Sequence, residues 1–377
     1  MSQNRSQSAD REGKTAGHLT SQEIFRQPEL WSITGRDISA AAERLQSKRQ
    51  LRNRRVLFTG AGSSAYASTA VALAWPRAIA VPTTDLLVDT ERFLDGVDAV
   101  ISLARSGESP ESAAVVERVR SLRPEILQLA IVCNADSALG RVGLDELIVL
   151  DPRTNDRSLV MTSSFSNLVL AGQALAQPDA VAAAVSEHSV RAAALLPQID
   201  EACKRVASLV RERIVVLSSS PLLGWGLEAG LKTLEMTAGR FPVVTETFLG
   251  LRHGPMSFVT SDTLVLCLLS SDPVRRSYET DLIAELRSKK LGHVVGIHDP
   301  QENEELFDDT IPAIAPREND ALRTAYEIAA PQLLGFHLSR SIGLNPDNPS
   351  PDGIINRVVQ GVRIHPTPPY EAVSSRN

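Results

Sequence analysis

Short apolar runs alternate along the chain with longer segments whose apolar residues recur at helical spacing. Arg55-Val56-Leu57-Phe58-Thr59 is a β-rich run, Gly60-Ala61-Gly62-Ser63-Ser64 is a turn, and residues 65–75 are alanine-rich with helical periodicity. Further strands are predicted at 78–82, 99–103, 127–133 and 146–150, with helical segments between several of them. A second round opens at 213–217, passes through Ser218-Ser219-Ser220-Pro221 and enters a helix at about Leu223; strands follow at 242–245, 263–269 and 293–297. Such alternation predicts an α/β fold in which each round is a parallel sheet covered by helices. The two rounds read as an internal duplication, joined by a helical stretch around 180–210. We place the units at 19–195 and 196–377, behind a polar, disordered tail at 1–18. Thr20, with Glu23 three residues on, has the spacing of a capping box and marks the expected first helix start.

Composition narrows the picture. The 377 residues leave room for two domains, and 43% hydrophobic content gives each a core. A net charge of -6 argues against nucleic acid or anionic lipid as a partner, so any bound phosphate is expected on a small molecule. Cys133, Cys203 and Cys267 are far apart with no CxxC spacing, which suggests neither a disulfide framework nor a zinc site and points to the reducing cytoplasm. The first residues lack the apolar run of a signal peptide, and no later stretch holds about 18 uninterrupted apolar residues, so neither secretion nor a membrane is expected. Clustered His/Asp ligands and a full dinucleotide fingerprint are missing too, so no metal and no organic cofactor is expected.

In open parallel sheets ligands sit beyond the carboxyl ends of the strands, where loops enter helices and a positive helix terminus meets them. Two hydroxyl-rich knots fall at such places. Gly62 lets the backbone approach a ligand, and Ser63 and Ser64 can donate to phosphate or sugar oxygens. In Ile101-Ser102-Leu103-Ala104-Arg105-Ser106-Gly107-Glu108-Ser109-Pro110-Glu111-Ser112, the residues Arg105, Ser106, Gly107 and Ser109 can surround a dianion. Helix capping is the ordinary alternative for these serines. A third cluster, Thr162-Ser163-Ser164, precedes an apolar run and is a candidate lining of the same pocket. In the second round Glu228, Lys232 and Glu235 are four and three apart, so a helix puts them on one face; most such patterns are solvated salt-bridge faces. His253 stands at a Gly-Pro break in Leu251-Arg252-His253-Gly254-Pro255. A carboxylate and a histidine near a phosphosugar are what ring opening and proton shuttling between sugar carbons need.

Together these segments resemble the sugar isomerase (SIS) domain family, arranged as two SIS domains in tandem. GAGSSAY, ARSGES, LEAGLKTLEMTAGR and LRHGP are similar to parts of the isomerase half of glucosamine-6-phosphate synthase. RQPELW, RSGESPES, MTSSFSN and DNPSPDGIINRVVQGV bring the chain closer to the tagatose-6-phosphate ketose/aldose isomerase family, whose better-supported activity is galactosamine-6-phosphate deaminase-isomerase. The resemblance covers nearly everything after about residue 20. It implies that Ser64, Ser106 and Ser109 contact the phosphosugar with Arg105 beside them. It also implies that Glu235 transfers the proton, that Lys232 and Glu228 flank it, and that His253 opens the ring from the neighbouring subunit of a homodimer. Two positions depart from the synthase: Ala104 stands in place of a serine, and Asn356, with Arg357 adjacent and taken as a substrate contact, in place of a lysine.

The synthase draws ammonia from a separate glutamine-hydrolysing domain, whereas this sequence opens Met1-Ser2 and enters the first half directly. The expected direction is therefore deamination of an amino-sugar 6-phosphate, with galactosamine 6-phosphate favoured and tagatose 6-phosphate the product. Aldose-ketose isomerisation without deamination is the second expectation. A non-catalytic phosphosugar sensor is the third; Glu235, His253 and the lack of a basic helix-turn-helix segment argue against it.

Overall fold

The strand–helix alternation folds into two five-stranded parallel sheets, seen in a computed structural model that describes residues 16–299, 304–350, 352–359 and 361–366. The first sheet holds β1 (Val56–Thr59), β2 (Ala78–Ala80), β3 (Ala99–Ala104), β4 (Leu127–Val132) and β5 (Glu146–Val149), in the order β2-β1-β3-β4-β5. The second holds β6 (Arg213–Ser218), β7 (Val243–Glu246), β8 (Thr263–Leu268), β9 (His293–His298) and β10 (Asp309–Pro312), in the order β10-β9-β8-β6-β7. β1, β4 and β8 are buried along their whole length, as strands covered by helices on both faces must be. β10 escaped the sequence reading because it is a short edge strand in which only Ile311 is buried and Pro312 ends the run.

The principal helices are α1 (His18–Phe25), α2 (Gln27–Arg49), α3 (Ser63–Leu73), α4 (Pro110–Leu122), α5 (Ser163–Ala176), α6 (Pro178–Ala207), α7 (Leu223–Met236), α8 (Pro273–Ser288), α9 (Asp320–Glu327) and α10 (Ala329–Ser341). One continuous apolar core joins the inner faces of both sheets, for example Phe58 and Ile101 with Val216 and Leu266, through helices that carry Val169, Leu196 and Tyr326. Trp31 of α2 meets Tyr326 of α9 edge-on, with centroids 5.2 Å apart. α4 covers the outer face of the first sheet through Val115 and Val119, and α8 that of the second through Leu282 and Ile283. The division expected between 195 and 196 falls inside α6, so both halves bury the same helix. Among the described residues no helix is long and apolar enough to cross a membrane.

The expected capping box at Thr20 is corrected. α1 begins at His18, after Gly17 with φ 83°, and Thr20 and Glu23 are fully buried. Tertiary partners have taken both side chains: Thr20 Oγ1 donates to Asp347 Oδ1 at 2.8 Å, and the Glu23 carboxylate accepts from the amides of Arg157 (2.6 Å) and Ser158 (3.2 Å). Of the tail expected at 1–18, residues 1–15 lie outside the described residues.

Two features of this architecture position a site. Because β1 lies between β2 and β3, the chain leaves β1 and β3 toward opposite sides and opens a crevice at their carboxyl ends; β6, between β7 and β8, repeats this in the second sheet. α7 also packs against α3 at very short range, since a Cβ on Gly224 would stand 2.7 Å from Ala70 Cβ and 2.8 Å from Tyr66 O. That glycine lets a helix of the second half carry its charged face to the carboxyl end of β1.

Candidate functional site

A cleft of about 200 Å³ opens at the first crevice, walled by the β1–α3 loop, the β3–α4 loop, Leu159 and Met161, Glu235, and residues 355–359 near the C-terminus. The glycines of its loops have positive φ, 58° at Gly62 and 66° at Gly107, a conformation that side chains rarely adopt. Both α3 and α4 start at the cleft, and neither is capped by a side chain. The serines at these helix starts are engaged elsewhere. Ser63 Oγ accepts from Lys232 Nζ at 3.2 Å, Ser64 Oγ contacts Met161 Sδ at 3.9 Å, and Ser109 Oγ donates to the Glu111 carboxylate. Ser106 Oγ accepts from the Glu108 amide at 3.3 Å. Two helix termini without side-chain caps, facing one small volume, favour an anion there.

Two guanidiniums add to that preference. Arg105, 7% exposed, donates to the carbonyls of Ser158 (3.3 Å), Leu159 (3.0 Å) and Arg357 (2.5 Å). Arg357 donates to Asp156 O at 2.8 Å and to Asn155 Oδ1 at 2.5 Å. Neither forms an ion pair with a carboxylate among the described residues. Burial, and then the neighbouring positive charge of Arg357, pull the pKa of Arg105 below the usual arginine range. The charges of Asp156 and Glu235 act on Arg105 without pairing with it, so a buried guanidinium bonded to carbonyls still favours an anion beside it.

On the opposite wall stands Glu235, 24% exposed at its side chain. Lys232 Nζ, wholly buried, bonds the Glu235 carboxylate and lies 3.3 Å from Glu228 Oε1. Burial works against a charged Lys232, but the two carboxylates outweigh it and its pKa rises. Burial pushes Glu228 up to about 7, with Lys232 opposing and Glu235 reinforcing the shift. The cleft can therefore hold an anion at one end and present a carboxylate to a reacting carbon at the other.

The structure brings Ser63, Ser64, Arg105, Ser106, Ser109, Glu235 and Arg357 to one cleft and leaves the other expected residues off its walls. Ser163 and Ser164 are a correction: fully buried, they bond Asp156, through Ser163 Oγ to Oδ1 and Ser164 Oγ to Oδ2 at 2.5 Å. Glu228 and Lys232 sit behind Glu235 with no exposure. His253 is exposed, beyond the helical turn Phe248–Leu251, and does not line this cleft of its own chain. Sequence reasoning missed Glu111 and Met161 as walls, and Asp156 as the hub beneath them; of the C-terminal strap it named only Asn356 and Arg357. Glu111 stands inside the ESPES run, but an acid in a first helical turn draws no notice.

The crevice of the second sheet makes a contrast. A larger hollow of about 630 Å³ lies there, bordered by Ser271, Arg275 and Arg317. Yet the Asp272 carboxylate caps α8 through the amides of Val274 (3.1 Å) and Arg275 (2.9 Å), and Asn319 caps α9. Its arginines have acidic partners, Arg275 with Asp272 at 3.9 Å and Arg317 with Asp299 at 3.6 Å. The helix after the third strand of each sheet thus differs: α4 has no side-chain cap at the first crevice, and α8 is capped by Asp272 at the second.

Two parallel sheets of this order, with a serine-lined cleft at the switch point of the first, define a tandem SIS protein of the sugar isomerase class. No family model matches the chain. It is 34% identical to the D-galactosamine-6-phosphate deaminase AgaS of Shewanella sp. strain ANA-3, over 92% of this chain and 92% of that one. It is 33% identical to the protein of the same name from Escherichia coli O157:H7, over 93% and 96%. The solved structure of tagatose-6-phosphate ketose/aldose isomerase from Escherichia coli superposes with a TM-score of 0.82 at 30% identity, over 92% of this chain and 97% of that one. The chain belongs to the D-galactosamine-6-phosphate deaminase AgaS family.

Proposed function

We propose that the protein is an amino-sugar-6-phosphate deaminase-isomerase that converts galactosamine 6-phosphate to tagatose 6-phosphate and ammonia. The observation that carries this is the pairing, in one cleft, of an uncapped anion cradle with the partly exposed carboxylate of Glu235. The names of its relatives supply the substrate.

The phosphate is held by Ser63, Ser64, Ser106 and Ser109, with Arg105 and Arg357 supplying charge. In the open-chain sugar Glu235 takes the proton from C2, giving an enolamine, and returns it at C1, giving a ketimine at C2; water then releases ammonia and leaves the ketose. Lys232 orients Glu235 through their hydrogen bond. His253, exposed and away from its own cleft, assists ring opening in the neighbouring subunit of a homodimer. The cleft lies at the first of two SIS units, at 19–195 and 196–377, and the second unit contributes Glu235 and residues 355–359 to its walls. Three unpaired, buried cysteines support a place in the cytoplasm.

The test is ammonia release from galactosamine 6-phosphate and glucosamine 6-phosphate by the purified protein. Glu235→Gln is expected to lower the rate by about 10²- to 10⁴-fold, the usual share of a general base. No ammonia from either sugar would overturn the deaminase reading. The second reading, aldose-ketose isomerisation, is favoured by the name of the solved neighbour and uses the same proton transfer on a substrate without nitrogen.

A further inference from the structure

The Ser109–Glu111 contact has no place in the reaction above. Ser109 occupies the position before α4 where a serine hydroxyl ordinarily accepts from the first-turn amides, but here it makes no such bond and donates to Glu111 instead. Glu111 itself lines the cleft. The cradle thus contains a carboxylate, held in place by one of the hydroxyls assigned to phosphate.

A serine hydroxyl has one proton to donate. An ionised carboxylate and a phosphate dianion are both acceptors only, so Ser109 serves one of them at a time. Their charges also repel across a cleft of this size. We propose that Glu111 is a resident competitor of the phosphate group: it occupies Ser109 and must be displaced when a phosphate binds. Glu111 then sets affinity and selectivity, admitting ligands whose phosphate makes enough bonds to Ser63, Ser64 and Ser106 to expel it, and turning away weaker anions. This rests on the reading of the cleft as a phosphosugar site.

The experiment uses the full-length protein and two ligands, galactosamine 6-phosphate as substrate and inorganic phosphate as competitive inhibitor. Glu111→Gln removes the charge and keeps an acceptor for Ser109; Glu111→Ala removes both. The inhibition constant for inorganic phosphate is expected to fall by about threefold to tenfold, more for Ala than for Gln, with KM for the sugar moving the same way. In a Ser109→Ala background the gain should be smaller, because the contested hydroxyl is gone and only the charge repulsion remains. A constant that rises or stays put in both variants would overturn the proposal, as would an undiminished gain without Ser109. Should one variant fail to fold, the other carries the test. Failure of the wild-type protein to bind either ligand would sink the phosphosugar reading and this proposal together; normal wild-type binding with no gain in the variants sinks this proposal alone.

Discussion

At Glu228 two effects oppose each other. Burial, reinforced by the Glu235 charge, disfavours the charged carboxylate more than Lys232 at 3.3 Å favours it, so the pKa is left at about 7 against an ordinary 4.5. A carboxyl whose folded pKa is raised binds its proton more tightly in the folded chain. Its contribution to stability is full below pH 4.5 and declines as the pH rises from 4.5 to about 7. Glu228→Gln removes that titration, so the wild type should lose stability relative to the variant across this window, read as the difference between their melting temperatures at a series of pH values. A difference that stays flat would mean that Glu228 is not protonated in the folded protein. That the serines at 63, 64, 106 and 109 share one cleft was foreseeable because they stand where two neighbouring parallel strands enter helices. Ser163 and Ser164 show the same local pattern and went astray, because it is Asp156, several residues earlier, that claims them. Local sequence gives a hydroxyl's position but not its acceptor.

The elements themselves were readable to within a residue or two wherever burial on both faces produced continuous apolar runs, and α7 begins at Leu223 as expected. What periodicity could not announce was the approach of α7 to α3, since that depends on an atom Gly224 lacks. Gly224→Ala gives a clean measurement because two contributions have opposite sign. Helix propensity alone would stabilise by about 1 kcal/mol, while a Cβ at 2.7 Å from Ala70 costs about 1–3 kcal/mol in overpacking. We expect net destabilisation in urea, together with reduced turnover as Lys232 is moved off Ser63. A stabilised variant would show that the two helices have room to separate.

For the whole molecule, the exposure of His253 leads to a test by subunit mixing. Glu235→Gln and His253→Ala chains should each be nearly inactive alone. Co-expressed, about half of the dimers are mixed and each holds one intact site, so activity should return to about a quarter of the wild type. No recovery would place His253 outside the neighbouring site. The duplication itself was visible from the repeated strand–turn–helix order, and the hydroxyl knots of the first round pointed to its crevice; the cap that Asp272 places on α8 at the other crevice was not foreseen.

The shared helix α6 carries a further implication. Duplicated domains are ordinarily expendable: one copy can drift or be deleted while the other carries on. Here each copy finishes its interior with side chains from the same 30-residue helix. Losing either half would strip apolar cover from the other, so the two copies are expected to fold and unfold as one cooperative unit.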